Sequence, residues 1–321
     1  MPDDRKPVLD PLIEKLLAAS AGEPPVDTLG IEEARARMRG RIARLPSSNA
    51  LIKDIRDFAI PARHGAIPAR LYLPQAERPP LILFFHGGGW ALCGLDTHDG
   101  QCRRLCADSG AAVLAVDYRL APEHPFPAGF DDCLDATLWA LEDDALPGID
   151  TSFFVLAGDS AGGTLAAGVA LALRDRGGPM ARGQALFYPA LQHPSRPSPS
   201  YSNYAEGFGL TRRAMGYFWD IYLAGAVPIP VYAAPMHADD LSGLPPAFIV
   251  TAECDVLRDE GEGFAERLHA AGIAVEQHRI PGVNHGFLAL DTLLPAADAT
   301  WRTAGVWISK CCGRSRGEDE A

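Results

Sequence analysis

The chain has 321 residues and a formal net charge of −12 at pH 7, with 47% hydrophobic and 22% charged residues. That length accommodates one large body with an added lobe around a substantial core, and the usage is that of a globular chain. The acidic balance excludes nucleic acid and anionic membrane surfaces as electrostatic partners, and no apolar run is long enough for stable insertion in a bilayer.

From the N-terminus, Met1–Lys6 leads into Leu12-Ile13-Glu14-Lys15-Leu16-Leu17. Two charges interrupt any leader core there, so a cytoplasmic location is expected. Helical patterns cover Leu9–Ala19 and Ile31–Leu45, before any strand. Alternating or continuous apolar runs predict strands at 52–60, 66–73, 81–86, 111–117, 153–157, 184–190, 247–252 and 274–280. Amphipathic runs lie near 98–109, 129–142, 161–175, 259–271 and 292–309, and Gly177-Gly178-Pro179 stops the third of them. The first two strands, joined by Pro61–Gly65, predict an antiparallel start. The later alternation predicts an α/β fold, with a mostly parallel eight-stranded sheet and helices on both faces.

Two segments break this alternation. Residues 192–233 open with the Pro/Ser-rich His193–Ser200 and continue into a helical run, Thr211–Leu223, carrying Met215, Tyr217, Phe218, Trp219 and Tyr222. Residues 1–47 are the other segment. Both are read as a helical cap on a catalytic body at 48–312, most of the aromatics packing the cap onto that body. Gly313–Ala321 is read as a disordered polar tail. The 274–280 strand is expected at an edge, which offers a homodimer an interface.

Seven cysteines without a compact secreted framework predict free thiols. Cys102 and Cys106, four apart on a helix with His98 a turn back, have metal-like spacing but lack a fourth ligand. They are read as core, and no metal is expected. Cys311-Cys312 is read as a surface oxidation hazard.

The chemistry concentrates where strands end. Gly158-Asp159-Ser160-Ala161-Gly162-Gly163 follows the apolar run Phe153–Ala157 and precedes a helical run. A strand–turn–helix with glycines on both sides lets a serine sit strained, its hydroxyl lifted off the sheet, so Ser160 is the candidate nucleophile. Upstream, Leu81–Phe85 ends in His86-Gly87-Gly88-Gly89-Trp90. The N–H groups of Gly88 and Gly89, with that of Ala161, can form an oxyanion hole, while Gly87 serves the turn. A phosphate loop would want a Lys-Ser/Thr or a following helix start, and neither is here.

A serine needs a base, and the base an orienting acid. Asp255 follows the strand 247–252 and His285 lies in the loop after 274–280, in the order serine, acid, histidine. Glu253 is the rival acid, and position alone does not exclude His98 or His124. Asp159 adjoins the nucleophile and cannot reach round to the base. Asp259 and Glu260 read as first-turn helix residues favoured by the dipole. Arg119 and Glu123, among Pro122, Pro125 and Pro127, read as a scaffold that supports the oxyanion loop.

With these residues in place, the chain resembles the bacterial hormone-sensitive-lipase family of α/β-hydrolase esterases. The matching stretches are His86–Trp90, Asp117–Ala128, Gly158–Gly163, Asp255–Glu260 and His285-Gly286-Phe287. The resemblance implies an α/β-hydrolase fold with a triad of Ser160, Asp255 and His285. It also implies an oxyanion hole from Gly88, Gly89 and Ala161, and hydrolysis of carboxylic esters of short to medium acyl chains without a cofactor. Asp255-Val256-Leu257 replaces a common Asp-Pro-Leu, and Cys93 stands where a small residue is frequent, so both departures bear on substrate range. An amidase or acyltransferase shares the chemistry up to the acyl-enzyme. A non-catalytic receptor of this fold would be expected to lack a triad member.

Overall fold

The computed structural model of the chain describes residues 8–46 and 48–313; residues 314–321 of the expected tail lie outside the described residues, as do Met1–Pro7 and Ser47. Two helices precede the first strand, α1 (Pro11–Ala19) and α2 (Ile31–Ile42). Asp10 caps α1 by accepting the Leu12 N–H at 2.8 Å, and Pro11 supplies the preset φ of a first helical residue. Strands β1 (Asp54–Ala62) and β2 (Gly65–Leu73) follow as an antiparallel hairpin, and then β3 (Pro80–Phe85) enters the interior.

From there strands and helices alternate: α3 (Asp99–Ser109), β4 (Ala112–Val116), α4 (Ala128–Ala140), β5 (Asp150–Asp159), α5 (Ala161–Asp175) and β6 (Gly183–Phe187). An excursion with the short α6 (Ser200–Asn203) and α7 (Arg212–Leu223) separates β6 from β7 (Ala247–Cys254). The chain closes with α8 (Arg258–Ala270), β8 (Val275–Asn284) and α9 (Pro295–Cys311).

Among the described residues these strands form one eight-stranded sheet, in the order β1-β2-β4-β3-β5-β6-β7-β8. Strands β3 to β8 pair in parallel, and the antiparallel pairings are β1 with β2 and β2 with β4, so β2 alone runs against the others. The two-residue period of β3 explains the layers. Leu81, Leu83 and Phe85 join the core under α4, α5 and α8, while Ile82 and Phe84 join the core under α3 and α9. Both faces are covered, so the central strands read as unbroken apolar runs. Each large side chain buried this way contributes about 1.5–3 kcal/mol.

Several strand boundaries differ from the sequence reading, and the end of β8 bears most on the site. β8 runs on to Asn284, so Pro281 and Gly282 are strand rather than loop; a register shift between Ala252 and Cys254 lets Cys254 pair with Asn284. Strand β8 is an edge of the sheet, and the Asp10 N–H donates to the Gly282 carbonyl at 2.8 Å, tying the N-terminal segment to it. The exposed-thiol reading of Cys311-Cys312 is corrected. Cys312, the residue that caps the end of α9, is buried, and burial pushes the half-buried Cys311 thiol up to about 11. Cys102 and Cys106 are core residues of α3.

Candidate active site

Ser160 stands between β5 and α5 with φ 53° and ψ −120°, a conformation that costs of order 1–3 kcal/mol unless its surroundings enforce it. They do. Its N–H donates to the Phe187 carbonyl of β6 at 2.8 Å, and its own carbonyl accepts the Thr164 N–H at 3.2 Å. A Cβ on Gly158 would lie 2.3 Å from the Gly162 carbonyl oxygen, and one on Gly162 only 1.9 Å from that of Phe85. The two glycines are therefore obligatory at a turn where three backbone segments touch.

His285 and Asp255 arrive from β8 and β7. The His285 Nε2 lies 2.9 Å from the Ser160 Oγ, and its Nδ1 lies 2.7 Å from the Asp255 Oδ2. An ionised carboxylate only accepts, so Nδ1 carries the proton and Nε2 is left to accept from the serine hydroxyl. Asp255 is fully buried and its other oxygen accepts the Leu257 N–H at 3.0 Å, which fixes its rotamer. The Tyr188 ring packs edge-on to the His285 imidazole at 4.8 Å. Glu253, the rival acid, instead accepts the Gly282 N–H at 2.7 Å. His124 is exposed.

The glycine loop leaves β3 beside this turn. Gly88 and Gly89 have φ of 110° and 59°, as their lack of a side chain permits. Gly87 donates its N–H to the Asp159 Oδ1 at 2.8 Å. Ala161, the third expected donor, is the first residue of α5. The Gly89 Cα faces the Phe218 ring on α7, which lies 2.5 Å from where a Cβ would be. Trp90 stacks on Tyr222 of the same helix at 4.3 Å and packs against Trp219 at 4.5 Å.

Sequence reasoning missed several supports. Asp159 does not orient the base, as expected, but it ties the glycine loop to the elbow and pairs with the His98 Nε2 at 3.2 Å. Burial alone would raise its carboxyl, but His98, the Gly87 N–H and His86 more than offset this and hold it below the usual range. His86 is buried, stacked on Tyr118 at 4.3 Å, and its Nδ1 lies 2.8 Å from the Gly87 carbonyl. Its Nε2 lies 3.9 Å from Asp117, too far for a hydrogen bond. Burial and the neighbouring His98 lower its pKa to about 3.

Glu260 lies in the first turn of α8, as expected, but it is also fully buried. It accepts the Gln192 N–H and faces the Tyr201 hydroxyl at 3.3 Å, and burial raises its carboxyl well above the usual range. Asp259 accepts the Ser200 N–H at 2.7 Å. The excursion after β6 is thereby stitched to the first turn of α8, which follows the loop that carries Asp255. Asn284, next to His285, donates to the Phe208 carbonyl at 2.9 Å from that same excursion. No sequence signal marks these pairings, because each joins residues from different parts of the chain.

The proline-rich loop is a scaffold, but its two charges do not meet. Arg119 forms a forked pair with Asp132, at 2.7 Å, and Glu123 pairs with Arg35 of α2, at 2.7 Å. The Tyr118 hydroxyl donates to the His86 carbonyl at 2.7 Å, and the Ala121 N–H to the Trp90 carbonyl at 2.9 Å.

An eight-stranded α/β sheet with a strained serine at a strand–helix turn, hydrogen-bonded through histidine to a buried aspartate, defines a class, and sequence comparison agrees. Residues 82–289 match the α/β-hydrolase fold family. The chain belongs to that family, in its hormone-sensitive-lipase-like branch, and is a carboxylesterase-type hydrolase. It is similar to esterase LipI of Mycobacterium tuberculosis, 41% identical over 302 residues that cover 92% of each chain. It is also similar to an ethyl acetate hydrolase of Pseudomonas putida, 35% identical over 85% of this chain and 88% of that one. Among solved structures, a thermostable esterase from Pseudomonas putida ECU1011 superposes with a TM-score of 0.90 at 34% identity, covering 96% of this chain and 99% of the other.

Proposed function

We propose that the chain is a serine carboxylesterase acting on short- to medium-chain acyl esters through an acyl-enzyme, with Ser160, His285 and Asp255 as its triad. The observation that carries this reading is the continuous hydrogen-bonded chain from the Asp255 Oδ2 through the imidazole to the Ser160 Oγ, at 2.7 and 2.9 Å. His285 Nε2 takes the serine proton as Oγ attacks the ester carbonyl, and the N–H groups of Gly88, Gly89 and Ala161 hold the oxyanion. The imidazolium, stabilised by Asp255, returns that proton to the leaving alcohol. Water then enters by the same route, releasing the acid and regenerating Ser160. The chain-length preference is supported by the family resemblance and by the ethyl acetate hydrolase among the relatives.

The segments 1–47 and 192–233 act as a cap over a catalytic body at 48–312. Support comes from the packing of Phe218, Trp219 and Tyr222 over Gly89 and Trp90, and from the ion pair of Arg213 with Asp27, 2.7 Å apart, which joins the two segments. A cytoplasmic location and a homodimer formed through the β8 edge complete the proposal. No described helix is long and apolar enough to cross a membrane. Native mass measurement tests the dimer, and a clean monomer removes it.

The decisive experiment is hydrolysis of p-nitrophenyl esters from acetate to palmitate by the wild type and by Ser160→Ala. Activity on the short esters should fall by at least ~10⁴-fold in kcat in the variant. Equal rates in both proteins would remove Ser160 as nucleophile. Acyl transfer to an added alcohol in preference to water would move the assignment to an acyltransferase.

A further inference from the structure

The loop Gly87–Cys93 runs largely through left-handed backbone, which is unstrained at its glycines and strained at Trp90 and Cys93. Gly88, Gly89, Trp90 and Cys93 have φ of 110°, 59°, 57° and 69°, and two of these four carry side chains. Such conformations persist only where the surroundings over-determine them. Part of that support comes from α2, outside the sequence match to the family, through one side chain.

Arg35 engages all five guanidinium N–H donors, four of them on the glycine loop and the proline-rich scaffold and one on Glu32 of its own helix. Nε donates to the Ala91 carbonyl at 2.9 Å, and Nη2 to the Ala121 carbonyl at 3.1 Å and to Glu123 at 2.7 Å. Nη1 donates to Glu123 at 2.8 Å and to Glu32 at 2.6 Å. The side chain is only 13% exposed. The Ala121 N–H in turn donates to the Trp90 carbonyl. The guanidinium therefore spans the two backbone segments that this hydrogen bond pairs, one directly continuing the glycine loop and the other the proline-rich scaffold. A planar fork with fixed donor directions can hold two carbonyls and a carboxylate at once, whereas an ammonium is a compact point charge.

We propose that Arg35 is a positioning residue for the oxyanion loop: it does not touch substrate, but it locks the Trp90–Ala91 backbone so that the Gly88 and Gly89 N–H groups are pre-aimed at the oxyanion. The inference rests on the serine-esterase reading of Ser160 and the glycine loop. Its reach is set by how steeply catalysis depends on donor position, since displacements of about 1 Å from a remote change can cost about 10²-fold.

The test uses Arg35→Lys and Arg35→Ala, with Glu123→Gln as a variant that keeps the Arg35 bonds to both carbonyls. Rates on p-nitrophenyl butyrate are normalised to the sites titrated by a fluorophosphonate on Ser160, so unfolded protein does not count. Both Arg35 variants should lose about 10- to 100-fold in kcat per titrated site with KM changed by less than about twofold. Affinity for a trifluoromethyl ketone, whose adduct places an oxyanion in the hole, should fall in parallel with kcat. Glu123→Gln should stay within about threefold of wild type, its carboxylate being half exposed. A merely structural Arg35 would lower the melting temperature and the titratable fraction while leaving kcat per site and ketone affinity at wild-type values, and that result overturns the inference while the serine reading stands. A wild type that is neither labelled nor active would overturn both.

Discussion

The elbow at Gly158–Gly163 and the glycine loop at His86–Cys93 are both sharp, glycine-rich turns at the ends of neighbouring parallel strands, yet they are held in opposite ways. The elbow concentrates its strain in one residue, Ser160, and is fixed by main-chain atoms: the Gly162 and Phe85 carbonyls leave no room for side chains, and the Phe187 carbonyl takes the serine N–H. The glycine loop takes left-handed backbone at four residues, two of them the strained Trp90 and Cys93, and is fixed largely by side chains from elsewhere, with Arg35, Asp159, Phe218, Trp219 and Tyr222 all bearing on it. A turn between a strand and a helix inherits its geometry from both. A loop that leaves a strand for irregular chain must borrow its rigidity, and distant substitutions can therefore reach it.

The sharpest break between the two comes from adding one methyl group to each. Gly162→Ala is expected to destabilise the fold by ~3 kcal/mol or more, because the obstruction is the main-chain oxygen of a core strand. Gly89→Ala meets a side chain, the Phe218 ring, and its φ of 59° costs alanine about 1–2 kcal/mol. Phe218→Leu should recover part of the Gly89→Ala loss, and nothing on the cap side should recover Gly162→Ala. Urea midpoints read both; equal destabilisation by the two alanines would erase the distinction.

Acid should separate the turns next. Burial, then the neighbouring His98, holds the His86 imidazole at about 3 against an ordinary 6.5. Its folded pKa lies below the unfolded one, so protonation favours the unfolded chain. This contribution is complete above about pH 6.5 and is lost as the pH falls toward 3, at up to ~1.4 kcal/mol per pH unit. His86→Phe keeps a ring beside Tyr118 and removes the titration, so its stability should vary less steeply between about pH 4.5 and 6.5. Denaturant curves across that range decide the matter, and an unchanged slope in His86→Phe would refute it.

The smallest expected effect lies on α7. The Tyr222 ring stacks on Trp90, but its buried hydroxyl has no hydrogen-bond partner among the described residues. Tyr222→Phe should therefore leave stability within about 1 kcal/mol of wild type or raise it, with kcat per titrated site unchanged. A loss of more than about 2 kcal/mol would show that the hydroxyl is satisfied in solution and helps to hold the loop.

Much of the candidate site was legible because it is local. The glycines of Gly158–Gly163 follow from the collision each side chain would have within its own turn, and the apolar runs at 81–85 and 153–157 announce strands covered on both faces. The competition between Glu253 and Asp255 was not resolvable this way, since both lie at the C-terminal end of the same strand. The register shift between Ala252 and Cys254 accompanies the outcome, in which Asp255 meets the imidazole and Glu253 meets the Gly282 N–H. Reading Pro281–Asn284 as loop failed for a related reason: proline and glycine signal a strand's end, but an edge strand tolerates both.

By itself, then, the sequence determined the α/β alternation, the elbow, the donor-rich loop and the order of serine, acid and histidine, because periodicity and steric exclusion act over a few residues. Only the tertiary structure decided that Asp159 anchors Gly87, that Glu260 lies buried against the excursion after β6, and that Arg35 reaches the Ala91 carbonyl from 56 residues upstream. Those are buried polar groups, and what each one bonds depends on which donors and acceptors the folded chain brings within about 3 Å, information that no local pattern carries.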